Sequence, residues 1–359
     1  MNNPSAPLTR GTRAGLAAAA LLASLLLGAC PGRALTLLSY NVDNLFDGVD
    51  DGREYREFDP GRGAWTDGLF RKKLARVALA VRRAVPGGPD IVFLQEIENA
   101  RTLAALRDTD LRDLGYAYAA AWPGAPAANG ALAATTVGIL SRFPLSRVGA
   151  HVLPARDGQP LREILEAAAT VDGKTLRLFC VHWKSKTGGK AYETESARRE
   201  AALVVARRVR EILRDDPRAA VVAAGDFNEC ADEDARAGGA YRTALVRTNG
   251  RMADDAADHL VLSGRLEESG ATAGGVVFFD PWLASACTPP GSYKHGGRWE
   301  GIDHILLLPG ADGPAFRAFK PVCEPDMLDP RTGAPLAWDR KRPDKGFSDH
   351  LPVLMTIEY

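Results

Sequence analysis

Six short stretches of this chain each join an apolar, strand-like run to a small group of acids, amides or histidines. In order they are Leu37–Asp47 (LLSYNVDNLFD), Asp90–Asn99 (DIVFLQEIEN), Phe179–Lys186 (FCVHWKSK), Val221–Glu229 (VVAAGDFNE), Gly301–Leu308 (GIDHILLL) and Phe347–Met355 (FSDHLPVLM). One such motif alone says little. Six of them, spread from end to end, point to a single site built at the ends of several strands, where an α/β scaffold places its catalytic groups. The polar inventory offers oxygen ligands for a hard cation and imidazoles for proton transfer.

The runs around these motifs set the expected elements. Leu35–Tyr40 reads as a buried strand ending at Asn41, and Asp43 to Gly68 as a long loop. Asp67 is the expected cap of a helix over Gly68–Val85, which Pro86-Gly87-Gly88-Pro89 stops. Ile91–Leu94 is a fully apolar strand delivering Glu96, followed by a helix over Asn99–Leu114. Strands are expected at Tyr116–Trp122, Thr135–Ser141, Ser146–Leu153, Ile164–Val171 and Thr175–His182, with Asp172-Gly173 as a hairpin turn. Glu193–Arg214 is the longest helix. Ala219–Ala224, Ile302–Leu308 and Leu351–Ile357 complete the strands. Periodicity alone gives an α/β or α+β protein with helices outside packed sheets.

The residue types suggest their chemistry. Glu96 emerges where an apolar strand stops, and Mg²⁺ takes few protein carboxylates while keeping several waters, so Glu96 is the first metal-ligand candidate. Asn41 closes the first strand with an amide able to donate to a phosphate or accept at a metal. Asp226 and Asn228 flank Phe227 in an alternating turn that buries the ring; Asp226 would orient or deprotonate water and Asn228 would donate to a phosphoryl oxygen. His350, after Ser348 and Asp349, suits general-base work. Extended geometry beyond His182 would put His182, Lys184 and Lys186 on one face, a phosphodiester-binding set. Glu229 reads as a solvated neighbour, and His304 as an alternate-face residue outside the site. The Gly-rich segment Gly291–Trp299 reads equally as a nucleotide-receiving loop or as a hairpin packed under the sheet.

The order and content of the motifs, from about Leu35 to the C-terminus, resemble the endonuclease/exonuclease/phosphatase superfamily of metal-dependent phosphoesterases. That resemblance implies a four-layer α/β/β/α sandwich of two packed mixed sheets with outer helices. It implies Mg²⁺ or Mn²⁺ as cofactor, held by Asn41, Glu96 and Asp349, with Asp303 fixing the tautomer of His350. His182 matches the histidine that binds the phosphate or protonates the leaving oxygen. One departure weakens an abasic-site repair reading: Ala134-Thr135-Thr136 stands where some repair members carry Tyr before the strand at Val137–Ser141.

The N-terminus is expected to lie outside the fold. Arg10 and Arg13 precede an apolar stretch from Ala14 to Ala29, too short and Ala-rich for a convincing span. Leu27-Gly28-Ala29-Cys30 looks like a bacterial lipobox, so residues 1–30 read as a lipoprotein signal with Cys30 lipidated, and 31–359 as one domain. The expected location is the cell envelope, outside the cytoplasm. Loss of that segment removes two arginines and no acid from 45 Lys+Arg and 45 Asp+Glu, a nearly neutral balance that gives no basic-protein signature. Cys180 reads as a buried thiol, Cys230 as free, and Cys287 with Cys323 as an expected disulfide in an exported chain.

The leading expectation is an exported, monomeric, membrane-anchored nuclease acting on DNA or RNA, because His182-Trp183-Lys184-Ser185-Lys186 looks like the His-Phe-Lys-Ser-Lys segment of bacterial extracellular nucleases. A lipid or inositol phosphoesterase, sphingomyelinase-like, is the rival enzyme. A binding protein on a catalytically dead scaffold is the reading from another class.

Overall fold

The computed structural model describes Met1 and residues 33–359, apart from 125, 127–129, 131, 157, 187–189, 250–257 and 273–274. The expected signal segment and Cys30 lie outside the described residues. No helix among the described residues is long and apolar enough to cross a membrane.

The chain begins with β1 (Ala34–Leu45), α1 (Asp67–Ala84), β2 (Ile91–Ile97) and α2 (Ala100–Asp108). There follow β3 (Tyr118–Ala121), β4 (Thr136–Ser141), β5 (Leu145–His151), β6 (Ile164–Val171), β7 (Lys174–His182), α3 (Ala191–Asp215) and β8 (Ala220–Asp226). Short strands fill the next stretch: β9 (Leu245–Arg247), β10 (Leu260–Ser263), β11 (Gly270–Thr272), β12 (Gly275–Phe279), β13 (Tyr293–His295) and β14 (Arg298–Glu300). β15 (Asp303–Leu308), β16 (Ala315–Pro321) and β17 (Val353–Glu358) end the chain.

Two mixed sheets result. The first runs β16-β17-β1-β2-β4-β3; the second runs β5-β6-β7-β8-β15-β12-β10-β9, with β11 added beside β12. Alternation along each central strand explains the layers. Leu35 and Leu37 of β1, Ile91 and Phe93 of β2, and Val222 and Ala224 of β8 meet between the sheets. Leu38, Tyr40 and Val42 face the other way, against Leu74, Val77 and Val81 of α1. Val221 and Ala223 face Ala201, Val205 and Val209 of α3. A sheet covered on both faces needs apolar side chains at every position, which is why these strands are continuous apolar runs. The product is the expected α/β/β/α sandwich.

Several local expectations are corrected. β1 continues past Asn41 to Leu45. Thr66, not Asp67, caps α1: its Oγ1 accepts from Leu69 N at 3.2 Å, while Asp67 pairs with Arg71 at 2.9 Å. α2 stops at Asp108, and Arg112–Leu114 is a separate 3₁₀ turn. Cys180, Cys230, Cys287 and Cys323 are all free thiols. The expected Cys287–Cys323 bridge is absent because the two lie in different layers. Cys323 packs on the helix side of the first sheet, whereas Cys287 follows the helical turn Pro281–Ala284 beside β15 of the second. Glu229 is no solvated neighbour. It is fully buried and accepts from Arg198 Nε (2.9 Å) and Leu245 N (2.9 Å).

Candidate active site

Strand register assembles the floor of the site. β7 and β8 run parallel and set His182 opposite Asp226, while β8 and β15 run antiparallel and set Asp226 opposite Asp303. The glycine before Asp226 is required: a Cβ on Gly225 would lie 1.9 Å from the Val181 carbonyl oxygen, and its φ is +149°. The first sheet supplies the other wall. Asn41 of β1 pairs with Gln95 of β2, and both strands shift register just beyond that pair. The irregularity turns Glu96 out of the ladder toward the cavity.

The backbone is strained where the wall forms. Asp43, Asn44, Glu96 and Asn228 have φ of 55°, 64°, 64° and 54°. Left-handed conformations in non-glycine residues cost roughly 1–3 kcal/mol each when the side chain is poorly suited to them, and such residues cluster at functional sites. All four also make side-chain or backbone contacts in one network, Asn228 N donating to Asp226 Oδ1 (2.8 Å). Asn44 N donates to Glu96 Oε2 (2.9 Å), and Asp43 N donates to Asn41 Oδ1 (3.1 Å). Asn41 Nδ2 donates to Asp226 Oδ2 (3.0 Å) and approaches Glu96 Oε1 at 3.5 Å. Asn41 therefore bridges the two sheets' acids through Nδ2, while its Oδ1 holds the Asp43 backbone.

His350 is fixed by Asp303. Its Nδ1 donates to Asp303 Oδ2 (2.7 Å), which also accepts from the fully buried Ser292 (2.6 Å). Its Nε2 faces Asp226 Oδ2 at 3.9 Å and Asp349 Oδ1 at 4.0 Å. His182 Nε2 lies 3.5 Å from the same Asp226 oxygen and 3.8 Å from Glu96 Oε1. Ser348 closes the structure by donating to the Asn41 carbonyl (2.7 Å) and accepting from His350 N (3.1 Å). Asn228 donates through Nδ2 to the Trp183 carbonyl (3.1 Å), and Phe227 is buried edge-on to Trp183.

The electrostatics separate the two histidines. Burial disfavours charge on His350, but Asp303, Asp349 and Asp226 outweigh it and raise its pKa well above the ordinary imidazole value. Burial, reinforced by Arg162, His350 and Lys184, holds His182 well below it. Burial, and then the neighbouring Asp303, raises Asp226 to about 7. Asp226 is thus a poised proton acceptor beside an imidazolium.

A cavity of about 530 Å³ opens over these groups, lined by Asn41, Glu96, His182, Asp226, Asn228, Asp349 and His350. Lys186 also lines it, but is committed to Glu233 at 2.7 Å. Lys184 does not line it. β7 ends at His182, so the expected alternation stops there and Lys184 faces a neighbouring cavity. The segment Tyr293–Glu300 is a hairpin, yet Tyr293 does not pack under the sheet; its ring lies 4.7 Å from that of His350. His304 is held by Asp280 (2.8 Å) and the Glu229 carbonyl (2.9 Å), away from the cavity.

Two participants escape the sequence reading. Burial, only partly offset by Lys73, raises Asp43 to about 6, with Asp349 and Glu96 adding to the rise. Lys73 is almost fully buried, lies 3.9 Å from Asp43 Oδ2 and donates to the Phe347 carbonyl (3.1 Å). The i, i+2 spacing of Asn41 and Asp43 was the available signal for Asp43. Lys73 lies on a helix face and carries no local signal. Asp43, Glu96 and Asp349 repel one another with a single buried ammonium among them. A hard divalent cation with oxygen ligands would relieve that repulsion, so the donor set fits Mg²⁺ or Mn²⁺.

The sandwich and the acid, amide and imidazole groups at its strand ends define a class, the α/β/β/α phosphoester hydrolases. The model of the Endonuclease/Exonuclease/phosphatase family matches residues 36–242, and the chain belongs to that family. No curated protein sequence matches it. Among solved structures, it is similar to D. rerio TDP2 complexed with a single-strand DNA product (19% identity, 91% of this chain and 99% of that one, TM-score 0.51). It is also similar to an endonuclease/exonuclease/phosphatase family protein from Bacteroides thetaiotaomicron (15% identity, 91% and 98% covered, TM-score 0.51). At these identities the likeness is one of fold.

Proposed function

We propose that the chain is a divalent-metal-dependent phosphodiesterase, exported and lipid-anchored through Cys30, that hydrolyses DNA or RNA. The observation that carries the catalytic reading is the meeting of Glu96, Asp226, His182 and His350 in one cavity, with Asp303 buried behind His350. Glu96 and Asp349, with Asn41 beside them and Asp43 behind, would hold the cation, which would supply neutralisation of the charge developing on the phosphoryl group. Asp226 accepts the proton of the attacking water. His350, kept protonated by Asp303, and Asn228 stabilise the phosphoryl oxygens. His182, neutral and facing Asp226, orients the phosphate or assists the leaving oxygen. The single-strand DNA product held by D. rerio TDP2 supports nucleic acid as the substrate class to test first.

The test is an activity panel of DNA, RNA, sphingomyelin and inositol phosphates, each with Mg²⁺ and with chelator. Cleavage of nucleic acid with Mg²⁺, lost on chelation, is the expected result. Full turnover after exhaustive chelation would sink the metal reading. Hydrolysis of sphingomyelin with nucleic acid untouched would sink the nuclease reading.

A further inference from the structure

A second cavity of about 560 Å³ adjoins the first and shares Arg162, His182 and Ser185 with it. Its charge is one-sided. Arg53, Arg156, Arg162 and Lys184 line it, and among the described residues no Asp or Glu does. Arg156 is committed to Glu200 at 2.7 Å. The other three have no carboxylate partner among the described residues: Arg162 Nε donates to Thr135 Oγ1 (3.1 Å), and Arg53 Nη1 to the Pro123 carbonyl (3.3 Å). Arg53 Nε is buried with no partner. Burial and the facing charges of Arg162 and Arg198 push the Lys184 ammonium below its ordinary pKa. Like charges gathered without counter-charge are unfavourable in the empty protein, and an anion placed between them relieves the repulsion.

The rest of the lining narrows the anion. Leu132, Leu153 and Leu161 form an apolar wall. Tyr55, 39% exposed, is braced by Phe46 at 5.6 Å between ring centroids. Cations beside an apolar wall and one braced aromatic ring match a nucleotide, whose phosphate seeks the cations while its base takes the ring. A choline headgroup would be repelled by three cations and would need an aromatic cage the cavity lacks. A polyhydroxylated ring has nothing to gain from the leucine wall.

Resting on the phosphodiesterase reading of the first cavity, we infer that the second cavity is a subsite for the neighbouring nucleotide of a single-stranded polynucleotide. Arg162 and Lys184 hold its phosphate, and Tyr55 takes its base. The enzyme then selects substrates with a second phosphate beyond the scissile one, on the His182 side.

The test separates binding from turnover. Binding of a fluorescein-labelled single-stranded oligothymidylate is measured by anisotropy in chelator, across a salt series, for wild type and for Arg162→Gln, Lys184→Gln, Arg162→Lys and Tyr55→Ala. In parallel, kcat/KM with Mg²⁺ is compared for oligothymidylate and for bis(p-nitrophenyl) phosphate, which has no second phosphate. Each Gln substitution should weaken oligonucleotide binding about tenfold, as expected for loss of a charged hydrogen bond. Each should also lower the slope of log affinity against log salt by about 0.7. Arg162→Lys should restore the slope, and Tyr55→Ala should weaken binding without changing it. The ratio of kcat/KM for oligonucleotide over minimal ester should fall in parallel. Unchanged oligonucleotide binding in both Gln variants overturns the subsite, even if wild type cleaves both substrates. If wild type cleaves neither but the binding losses appear, the subsite stands and the phosphodiesterase reading falls.

Discussion

Glu96 occupies a left-handed backbone conformation that a glutamate does not favour, and it faces two other acids. Strain and repulsion together mark a side chain held for chemistry rather than stability. Glu96→Gln keeps an acceptor for Asn44 N while removing one repelling charge. It should abolish turnover and leave the thermal melt within a few degrees of wild type. A large fall in melting temperature would mean that Glu96 is structural. Asp303 and His350 act through one hydrogen bond of 2.7 Å. His350→Ala and Asp303→Asn should each lower kcat by about 10²-fold or more, the range for loss of one group that stabilises charge developing in the transition state. Because Asp303 works through His350, the double variant should lose little beyond either single change. Additive losses in that cycle would separate the two residues.

Between elements, the second sheet and its helix are joined by a buried ion cluster. Glu166 of β6 meets Arg177 of β7, Arg208 of α3 (2.8 Å) and His151 of β5 (2.8 Å). Burial would raise this carboxyl, but hydrogen bonds from His151, Arg208 and Arg177 outweigh it and lower it from 4.5 to about 2. A depressed carboxyl stabilises the fold fully above its unfolded pKa, and the contribution disappears as pH falls through the folded value. The shift corresponds to about 3 kcal/mol at neutral pH. Glu166→Gln should cost about that much in denaturant unfolding at pH 7, since it leaves Arg177 buried without an anion. The gap to wild type should narrow between pH 4.5 and 2. A gap constant with pH would show that the loss is one of packing.

For the molecule as a whole, the proposed lipid on Cys30 would set where the cleft meets its substrate. Acyl chains on Cys30 would contribute roughly 0.8 kcal/mol per buried methylene, enough for several chains to anchor the protein. Cys30→Ser should shift the protein from the membrane fraction to a soluble or uncleaved form, and a mass spectrum of native protein with an unmodified N-terminus would end the lipid reading. The strands that carry the site were legible in the sequence because sheets covered on both faces demand continuous apolar runs, and a polar residue ending such a run stands out. Leu37–Asn41, Ile91–Glu96 and Val221–Asp226 are of this kind. β9 to β12, of three to five residues, were not legible because they show too little alternation to register, and β16 was missed as well; the β13–β14 hairpin was one of the two readings of its segment. The sequence by itself determined an α/β or α+β class and which polar residues stand at strand ends, because both follow from local hydrophobic pattern; the four-layer sandwich was implied only by the resemblance of its motifs to a known superfamily. Only the tertiary structure decided their partners. Strand register set Asp226 between His182 and Asp303. The irregularity at Glu96 brought in Asp43 and, behind it, Lys73. The end of β7 sent Lys184 to the second cavity, because an alternating pattern predicts side-chain direction only while the strand lasts.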